Sequence, residues 1–570
     1  MKRDPVKDLN VFRGKAFRGE WPTVPEMLEM TVEKYGRKKG FTAFEPDYLS
    51  LTYAEIGSVT DEIAGYLLSS GIVKGDRVGL AGKNSPEWTI AYLSVLKLGA
   101  VIVPVDYQLP SEDIGKLFSH AAVKAVFVDE EKFEDIPAAG LNLSLKISLS
   151  KNRPNYLLNL KSGGREVSAP PSENDICAIL YTSGTMGNPK GVVLSHRNFT
   201  SDVYLAQAHL KLYSSDVFYA LLPLHHIYTM TAVFLESVCV GAEIVYGKRI
   251  VTKNILEELK KGKVTMFLGV PLLFNKIIKA VMKGIKEKGP FANAVVGGMM
   301  AFSGFMKKTL NINPGKFLFR SILKKISFER IRVCISGGGP LPPETFRKFN
   351  QLGIDFIQGY GLTETAPILT LNPVEHYKET SVGKVLPAVD LKIAEPDKDG
   401  IGEIIVKGPM VMNGYYMNDE ETKKIFSGDG YLKTGDVGYL DGENYVYLTG
   451  RKKNIIVTEG GKNVSPEEIE YGFEIYEEIE QIMVRGYLKN AETKTEDIMA
   501  YVFPCREYFE SEFKKTDSAW DDAFVASRIG SVVAEVNNAL PAYKKVKRFE
   551  VLKEPMEMTT TKKIKRFKIQ

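Results

Sequence analysis

Short apolar runs alternate with longer stretches of helical periodicity from about residue 50 to about residue 450. The first of these segments, residues 77–81, 88–98, 101–105, 114–120 and 125–129, follow the order strand, helix, strand, helix, strand. That order is typical of parallel sheets with helices on their faces, because each parallel strand needs a long crossover connection and a helix supplies it. The sequence therefore predicts an α/β fold with a large N-terminal domain of parallel-type sheets flanked by helices.

Two later regions depart from this pattern. Residues 389–450 contain short alternating segments separated by Gly and Asp-Gly, which is typical of hairpins and predicts a small β-rich subdomain. Beyond residue 450 the pattern restarts, and Ser465-Pro466-Glu467-Glu468 has the composition of a helix N-terminus. We expect an N-terminal domain over 1–450 and a small α+β C-terminal domain over 451–570.

Composition and charge exclude several classes of protein. At 570 residues the chain is long enough for several globular units rather than one small binding module. Its 75 basic and 70 acidic residues are too nearly balanced for a general nucleic-acid binder. The four cysteines are widely spaced, which argues against a zinc ribbon or a disulfide framework and favours a reducing compartment. We therefore expect small-molecule partners held at local sites, and no nucleic acid.

The sequence also bears on membranes. No apolar run reaches the roughly 18 residues that a spanning helix needs, and the N-terminal segment lacks the apolar core of a signal peptide, so we expect a cytoplasmic protein. Residues 281–328 are rich in Met, Phe and Lys with helical spacing. Two interpretations stay open for them: a helical insertion that packs on the domain surface, or an amphipathic patch that faces a membrane or binds an acyl chain. Peripheral membrane contact therefore stays open.

The strongest local motif is a loop rich in glycines and hydroxyl groups that directly follows the apolar run 176–180. Glycines let the backbone fold tightly and aim N–H groups at an anion, hydroxyls add donors, and Lys190 supplies a point charge. The loop is not a Walker A motif, because Lys190 follows Pro189 and is not followed by Ser or Thr. It predicts phosphate binding by Thr182, Ser183, Gly184, Thr185, Gly187 and Lys190.

Two further segments suit a nucleoside. Gly337-Gly338-Gly339 follows the apolar run 331–336, and Tyr360 follows another apolar run near residue 357. Backbone without side chains and a Tyr ring each present a flat surface, and together they predict a slot for a planar base. Asp436, an acceptor when ionised, suits the two hydroxyls of a ribose.

These motifs resemble those of the adenylate-forming superfamily, which comprises acyl-CoA synthetases, luciferases and the adenylation domains of peptide synthetases. Five further segments match in the family's order, so the resemblance covers nearly the whole chain: residues 96–105, 222–226, 359–364, 434–436, and Arg451 with the Gly460-Gly461 turn. The chain departs from the family at Met186, where Thr or Ser is usual, and at Lys562, where Gly is usual.

The resemblance implies a role for each nucleotide motif. Thr182 and Glu364 are implied to bind Mg²⁺, with Thr363 beside Glu364 in the catalytic motif. Adenine is implied to lie between the glycine run and Tyr360. The ribose is implied to bind Asp436, with Arg451 beside it.

The remaining implied roles concern the acyl group, coenzyme A and domain motion. His226 matches a His that gates the tunnel to the adenylate, and Lys563 matches the catalytic lysine that contacts the carboxylate and the α-phosphate. Lys562 leaves a second lysine one residue away. The C-terminal domain is implied to be mobile about Arg451, presenting Lys563 for adenylation and the Gly461 face for thioester formation.

Together the resemblance implies an AMP-forming acid–thiol ligase that uses ATP, Mg²⁺ and coenzyme A to convert a fatty acid into acyl-CoA, AMP and pyrophosphate through an acyl-adenylate. Residues 222–226 lack the Asp that amino-acid adenylation domains use, which disfavours an amino-acid substrate. The apolar segment 281–328 favours a long or medium chain, and the chain is most similar to bacterial long-chain fatty-acid CoA ligases. An acyl-AMP ligase that loads a carrier protein, a ligase of aryl or other carboxylates, and the oligomeric state all stay open.

Overall fold

The computed structural model describes residues 5–136, 141, 143–167, 170–182, 189–248, 252–458, 462–473, 476–490, 495–516, 518–558 and 564–566. The chain divides into two compact units. The first comprises Met1–Gly338, Glu344–Asp390 and Val406–Leu432, and the second comprises Gly339–Pro343, Leu391–Ile405 and Lys433–Gln570. Strands and helices alternate along the first unit, which confirms the predicted α/β class.

The strands of the described residues are β1 Lys39–Ala43, β2 Leu49–Thr52, β3 Arg77–Ala81, β4 Val101–Pro104, β5 Ala125–Val128, β6 Leu145–Ser148, β7 Ile176–Thr182, β8 Lys190–Ser195, β9 Val217–Ala220, β10 Glu243–Tyr246, β11 Met266–Gly269, β12 Val333–Ser336, β13 Asp355–Gly361, β14 Ile368–Leu371, β15 Gly383–Val385, β16 Asp390–Ala394, β17 Gly402–Lys407, β18 Gly414–Tyr415, β19 Leu432–Leu440, β20 Tyr445–Arg451, β21 Ile456–Val457, β22 Asn463–Val464, β23 Ile479–Asn490, β24 Thr495–Pro504 and β25 Arg548–Val551.

The α-helices are α1 Pro5–Asn10, α2 Val24–Tyr35, α3 Tyr53–Ser69, α4 Pro86–Lys97, α5 Ser111–His120, α6 His196–Ala206, α7 Ile227–Thr229, α8 Glu236–Val240, α9 Thr252–Lys261, α10 Pro271–Lys286, α11 Pro290–Leu310, α12 Gly315–Leu318, α13 Arg320–Lys325, α14 Pro343–Gln351, α15 Asp419–Ile425, α16 Pro466–Phe473, α17 Arg506–Lys515 and α18 Asp522–Ala539. A π-helical turn, Met230–Leu235, joins α7 to α8. Helices α10 to α13 confirm the helical spacing of residues 281–328.

One sheet of the first unit has the strand order β18-β8-β7-β4-β3-β5-β6. Strands β3 to β6 run parallel to their neighbours, whereas β7 and β8 form an antiparallel hairpin. Helix α4 begins where the Ser85 hydroxyl accepts the Trp88 N–H, and the Trp88 and Tyr92 rings stack with centroids 5.7 Å apart. Both rings are fully buried, so α4 is a core helix of this unit.

Another run of strands in the first unit has the order β15-β14-β13-β12-β11-β9-β10-β1-β2. Its central strands are parallel, and rings from neighbouring elements pack together there: the Phe356 centroid lies 4.8 Å from that of Phe274 and 4.7 Å from that of Phe349. Strand β12 ends just before Gly337, and β13 ends at Gly361. Parallel α/β sheets bind ligands beyond the carboxyl ends of such strands, so the glycine-rich segments lie where a ligand is expected.

The second unit contains the adjacent strands β16-β17-β19-β20, the pair β21-β22 and the sheet β23-β24-β25. Helices α16 and α18 contribute buried Ile469, Phe473, Ile529 and Val532 to its core. Of the predicted β-rich region, 391–405 and 433–450 belong to this unit and 406–432 to the first. The expected domain boundary after residue 450, with a hinge at Arg451, stays a prediction. Among the described helices, none is both long and apolar enough to cross a membrane.

Gly361 provides a test of how tightly the turn after β13 is built. A Cβ at this position would lie 1.6 Å from the Pro367 carbonyl oxygen, so the backbone must shift to accept it. We expect Gly361→Ala to lower the melting temperature and to abolish most activity. The control is Gly115→Ala in α5, where a Cβ meets nothing within 4 Å and should stabilise by about 0.5–1 kcal/mol. Equal melting temperatures for the two variants would contradict the close contact.

Candidate active site

The hairpin of β7 and β8 holds the two described ends of the predicted phosphate loop. Thr182 and Lys190 face each other across the antiparallel pair, and the Thr182 hydroxyl lies 3.5 Å from the Lys190 carbonyl oxygen. The loop is therefore attached to a two-stranded base, and the short edge strand β18 lies next to it. Ser183, Gly184, Thr185, Gly187 and Met186 lie outside the described residues, so their phosphate contacts stay a prediction.

The Lys190 ammonium lies against α15 and β18. Its Nζ is 2.5 Å from Glu421 Oε2 and 5.1 Å from the centroid of the Tyr415 ring. The hydrogen bond from Lys190, followed by one from Lys424, lowers the pKa of the Glu421 carboxyl. The Lys190 and Glu421 side chains keep about a third of their surface exposed, 27% and 32%, so an anion can reach the lysine in competition with Glu421.

Glu364 is held from two directions within the turn Thr363–Thr365. Its Oε1 accepts a 2.8 Å hydrogen bond from the Tyr415 hydroxyl, and its backbone carbonyl accepts a 2.9 Å bond from the Met412 N–H. Burial and the Glu364 charge both raise the pKa of Tyr415, so the phenol stays a donor at neutral pH. Tyr415 therefore contacts both predicted phosphate-site residues, Lys190 through its ring and Glu364 through its hydroxyl.

The two predicted magnesium ligands are both oxygen donors. Thr182 and Glu364 supply a hydroxyl and a carboxylate, the oxygen donors that Mg²⁺ prefers. Within the part of the chain that the structure describes, no group of three or more His, Cys, Asp or Glu side chains could hold a metal ion. A single carboxylate fits Mg²⁺ that arrives with a triphosphate, because this ion usually takes one or two carboxylates and completes its shell with phosphates and water.

The predicted base slot is partly visible in the first unit. A Cβ on Gly337 would lie 2.9 Å from the Tyr228 ring, and Tyr228 donates a 3.0 Å hydrogen bond to the Ile335 carbonyl. Gly338 has a φ of +78°, which favours glycine. Tyr360 lies within β13, paired with Thr370. Because Gly339 belongs to the second unit, the complete slot stays a prediction.

The second unit brings the predicted ribose residues together. Asp436 and Arg451 are cross-strand partners in β19 and β20, and Arg451 Nε lies 2.9 Å from Asp436 Oδ1. The Asp436 N–H donates to the Thr434 hydroxyl at 3.1 Å. Asp436 is buried, so the strand pair and the arginine fix its carboxylate before any ligand binds. Its bond to ribose stays a prediction.

Two histidines lie next to each other before α7. The His225 and His226 rings have centroids 4.1 Å apart, and the His226 N–H donates to the Pro223 carbonyl at 3.2 Å. Burial lowers the pKa of His225 to about 3, so its imidazole is neutral. His225 Nε2 lies 4.0 Å from Asp106 Oδ2, too far for a hydrogen bond. The gating role of His226 stays a prediction.

A buried acid that sequence reasoning missed fixes the segment after Glu364. Asp202 Oδ2 accepts the Ile368 N–H at 3.1 Å, and the Thr231 hydroxyl donates to the Ala366 carbonyl at 2.8 Å. Burial strongly raises the pKa of Asp202. Burial also strongly raises the pKa of Glu236, and the nearby Asp202 carboxyl contributes to that rise. Asp202 is therefore a buried acid that positions the backbone after Glu364.

The remaining predicted residues, Gly460, Gly461, Lys562 and Lys563, lie outside the described residues. On either side of the lysines, Met558 and Ile564 form an isolated antiparallel bridge. Arg566 donates a 2.9 Å hydrogen bond to the Val484 carbonyl and forms an ion pair with Glu470. Burial raises the pKa of the Glu470 carboxyl to about 7, although the Arg566 charge opposes the rise. The described residues that flank Lys563 are thus attached to the core of the second unit.

Sequence reasoning missed Tyr415, Glu421 and Asp202. Glu421 lies in a polar helix and Asp202 in a mixed one, so neither stands out in sequence. Tyr415 forms half of a two-residue strand, and its contact with Glu364 spans 51 positions. A spacing rule cannot reveal such a contact.

The fold and these residues together define a nucleotide-dependent α/β enzyme. The solved structure of an anthranilate CoA ligase bound to anthranoyl-AMP matches with a TM-score of 0.76 over 96% of each chain at 22% identity, which shows a shared fold. The family model of AMP-binding enzymes matches residues 28–416. The chain belongs to this family.

Two relatives have names that state a more specific activity than AMP binding. Long chain acyl-CoA synthetase 6, peroxisomal, of Arabidopsis thaliana is 30% identical over 74% of this chain, which spans 65% of that protein's length. Long-chain-fatty-acid–CoA ligase FadD15 of Mycobacterium bovis is 26% identical, with 92% of each chain covered.

Replacement of Tyr415 by Phe tests the contact that joins Lys190 and Glu364. The ring over Lys190 persists while the hydrogen bond to Glu364 is lost, and a bond to a charged group is worth about 1.5–3 kcal/mol. We expect kcat/KM for ATP to fall by roughly 10- to 150-fold and the Mg²⁺ concentration at half-maximal rate to rise. Glu364→Gln should lower the adenylation rate by about 10²–10³-fold. An unchanged Mg²⁺ dependence in Tyr415→Phe, with exposed Tyr213→Phe as the control, would contradict the contact's role.

Replacement of Asp202 by Asn tests its protonation. Because burial raises the folded-state pKa above the unfolded value of about 3.9, wild-type stability falls as pH rises from about 4 toward that folded pKa. Asn stays neutral and still accepts from Ile368. We expect Asp202→Asn to melt about 2–4 °C higher at neutral pH, with the difference disappearing near pH 4. The control is exposed Asp399→Asn, and a pH-independent loss in Asp202→Asn would show that the carboxylate is ionised.

Proposed function

We propose that this protein is an ATP-dependent acyl-CoA synthetase that converts a fatty acid, ATP and CoA into acyl-CoA, AMP and pyrophosphate. The observation that carries the proposal is the convergence on Tyr415 of Lys190, at the end of the phosphate loop, and Glu364, in the second nucleotide motif. A cation for phosphates and an oxygen donor for their metal thus occupy one neighbourhood. The names of the relatives support a fatty acid as the carboxylate.

The first half-reaction joins two anions. A carboxylate oxygen of the fatty acid attacks the α-phosphorus of ATP, the bond to the bridging oxygen breaks, and pyrophosphate leaves. Lys190 exchanges Glu421 for phosphate and balances part of the charge, while Glu364 is held in place by Tyr415. Thr182 and Glu364 would hold Mg²⁺, which would supply further positive charge to the phosphates. Lys563 contacts the carboxylate and the α-phosphate.

The second half-reaction uses coenzyme A. Its thiolate attacks the acyl carbonyl carbon of the adenylate, and AMP leaves with the bonding electrons. His226 gates this access, and rotation of the C-terminal domain about Arg451 exchanges the Lys563 loop for the Gly461 face. Asp436, paired with Arg451, holds the ribose in both poses.

We place the enzyme in the cytoplasm, in peripheral contact with a membrane. The cysteines support a reducing compartment, because all four are free and Cys177 and Cys334 are buried. Contact with a membrane brings the enzyme to its substrate, since long-chain fatty acids partition into lipid.

Pyrophosphate release across a series of carboxylic acids, with and without CoA, tests the function. Each buried CH₂ contributes about 0.8 kcal/mol, roughly fourfold, so kcat/KM should climb with chain length to about twelve or more carbons. AMP and acyl-CoA should form in equal amounts. A maximum at two to four carbons or with benzoate contradicts a fatty-acid substrate, and ADP as product contradicts adenylation. Turnover with an acyl carrier protein but not with CoA would make the enzyme a carrier-loading ligase.

Separate assays of the two half-reactions test the lysine. Lys563→Ala should slow adenylation by about 10²–10⁴, the range for one positioned group, and leave transfer from supplied acyl-AMP to CoA nearly intact. Lys562→Ala is the matched control and should affect neither step strongly. Equal losses in both half-reactions would contradict the assigned role, and a larger loss in Lys562→Ala would move the role to that residue.

A further inference from the structure

Helix α11 exposes an apolar stripe along its whole length. Phe291, Val295, Phe302 and Phe305 recur at intervals that place them on one face of a helix, and each is between 45% and 84% exposed. Large apolar side chains continue at Leu310, the last residue of the helix, and beyond it at Ile312 and Phe317; these three are 52–84% exposed. We call these seven residues the α11 face.

This concentration is unusual within the protein. Of the 20 large apolar side chains that are exposed in the described part of the chain, these seven fall within 27 consecutive positions. Single exposed apolar residues are normal on protein surfaces, but a contiguous group marks an interaction site.

The opposite side of α11 fixes the helix to the protein. Met300, Ser303 and Lys307 are buried at i, i+3 and i+7. The Lys307 ammonium donates to Asn350 Oδ1 at 2.8 Å and to Asp355 Oδ1 at 2.7 Å. The helix therefore cannot turn its apolar stripe inward without breaking this buried cluster, and the α11 face points away from the core.

The segment that contains the α11 face is rich in positive charge, although one of its lysines, Lys308, pairs with Glu379 at 3.8 Å. Residues 281–328 contain nine basic residues and one acidic residue, Glu287, whereas the whole chain is nearly balanced at 75 to 70. Seven of the nine basic side chains are exposed: Lys283, Lys286, Lys288, Lys308, Arg320, Lys324 and Lys325. An apolar strip with basic residues around it is the composition of a surface that lies in the headgroup region of an anionic bilayer.

The basic residues also distinguish between the partners that could cover the α11 face. A second copy of this chain docked through the same face would bring two sets of basic residues together, and such like charges oppose association. We propose that the α11 face inserts into the interfacial layer of a membrane that contains anionic phospholipids, with the surrounding lysines on the headgroups. This inference deepens the membrane contact proposed above, because it names the surface that makes the contact and the lipids that it binds. Its test requires no ligase activity.

Vesicle co-sedimentation without ATP, CoA or fatty acid tests the proposal. Wild-type protein should bind phosphatidylcholine vesicles with about 30% phosphatidylglycerol at least about tenfold more tightly than pure phosphatidylcholine, and high salt should weaken the difference. Phe302→Ser with Phe305→Ser should lower binding at least about tenfold. Lys324→Gln with Lys325→Gln should lower it by about fivefold per lysine, on anionic vesicles only. The matched control is Tyr48→Ser with Leu488→Ser, both 63% exposed in the wild type, and it should bind as wild type.

Three outcomes would overturn the proposal. The first is unchanged vesicle binding in the Phe302→Ser, Phe305→Ser variant, and the second is no preference of the wild type for anionic vesicles. The third is a dimer in sedimentation velocity that the same variant converts to a monomer, which would make the face an interface between copies. Pyrophosphate release from dissolved octanoate should stay at the wild-type rate in the phenylalanine variant, which separates a lost docking surface from a lost fold. If wild type lacks ligase activity yet binds anionic vesicles as expected, the proposed function fails and the docking surface stands.

Discussion

The arrangement of the first unit's candidate site depends on one side chain, Tyr415. Its ring lies under the Lys190 ammonium and its hydroxyl binds the Glu364 carboxylate. The Lys190 ammonium and the Glu364 carboxylate thereby share Tyr415 as a neighbour while each has its own polar partner, Glu421 for Lys190 and the phenol for Glu364. Electrostatic catalysis needs such preorganised groups, since charges that must reorganise during the reaction stabilise the transition state less.

The polypeptide around this tyrosine is fixed by buried polar contacts rather than by the sheet alone. Ala366 has a φ of +62°, a conformation that residues with a side chain rarely adopt, and Asp202 and Thr231 hold the backbone on either side of Pro367. A neutral acid suits this position better than an ionised one, because a buried unpaired carboxylate would cost several kcal/mol. Burial raises the pKa of Asp202, and the carboxyl accepts the Ile368 N–H within the same buried surroundings.

The sequence was sufficient for the fold class and for the segments that carry the site, because periodicity and glycine-rich loops are local signals. The family resemblance implied that Arg451 lies beside Asp436 at the ribose; the two residues are cross-strand partners in β19 and β20, and their binding to ribose stays a prediction. The contacts of Tyr415, Glu421 and Asp202 could not be predicted from spacing. Each joins elements 51 to 231 positions apart, and their partners are set by how strands and helices pack in three dimensions.

Helix α11 shows why a sequence pattern can support two interpretations at once. Residues 281–328 were consistent with a packed insertion or with a patch facing a membrane, and the helix has one side for each. Its buried side is held by Lys307, whose ammonium donates directional hydrogen bonds to Asn350 and Asp355. Its exposed side is apolar, and apolar contacts do not depend on direction in this way. The polar cluster fixes the orientation of the helix, and the apolar stripe is the surface that we propose for membrane docking. The pattern of apolar residues along an isolated helix could not show which side is buried, because both sides contain apolar residues. Only the fold decides which side is covered.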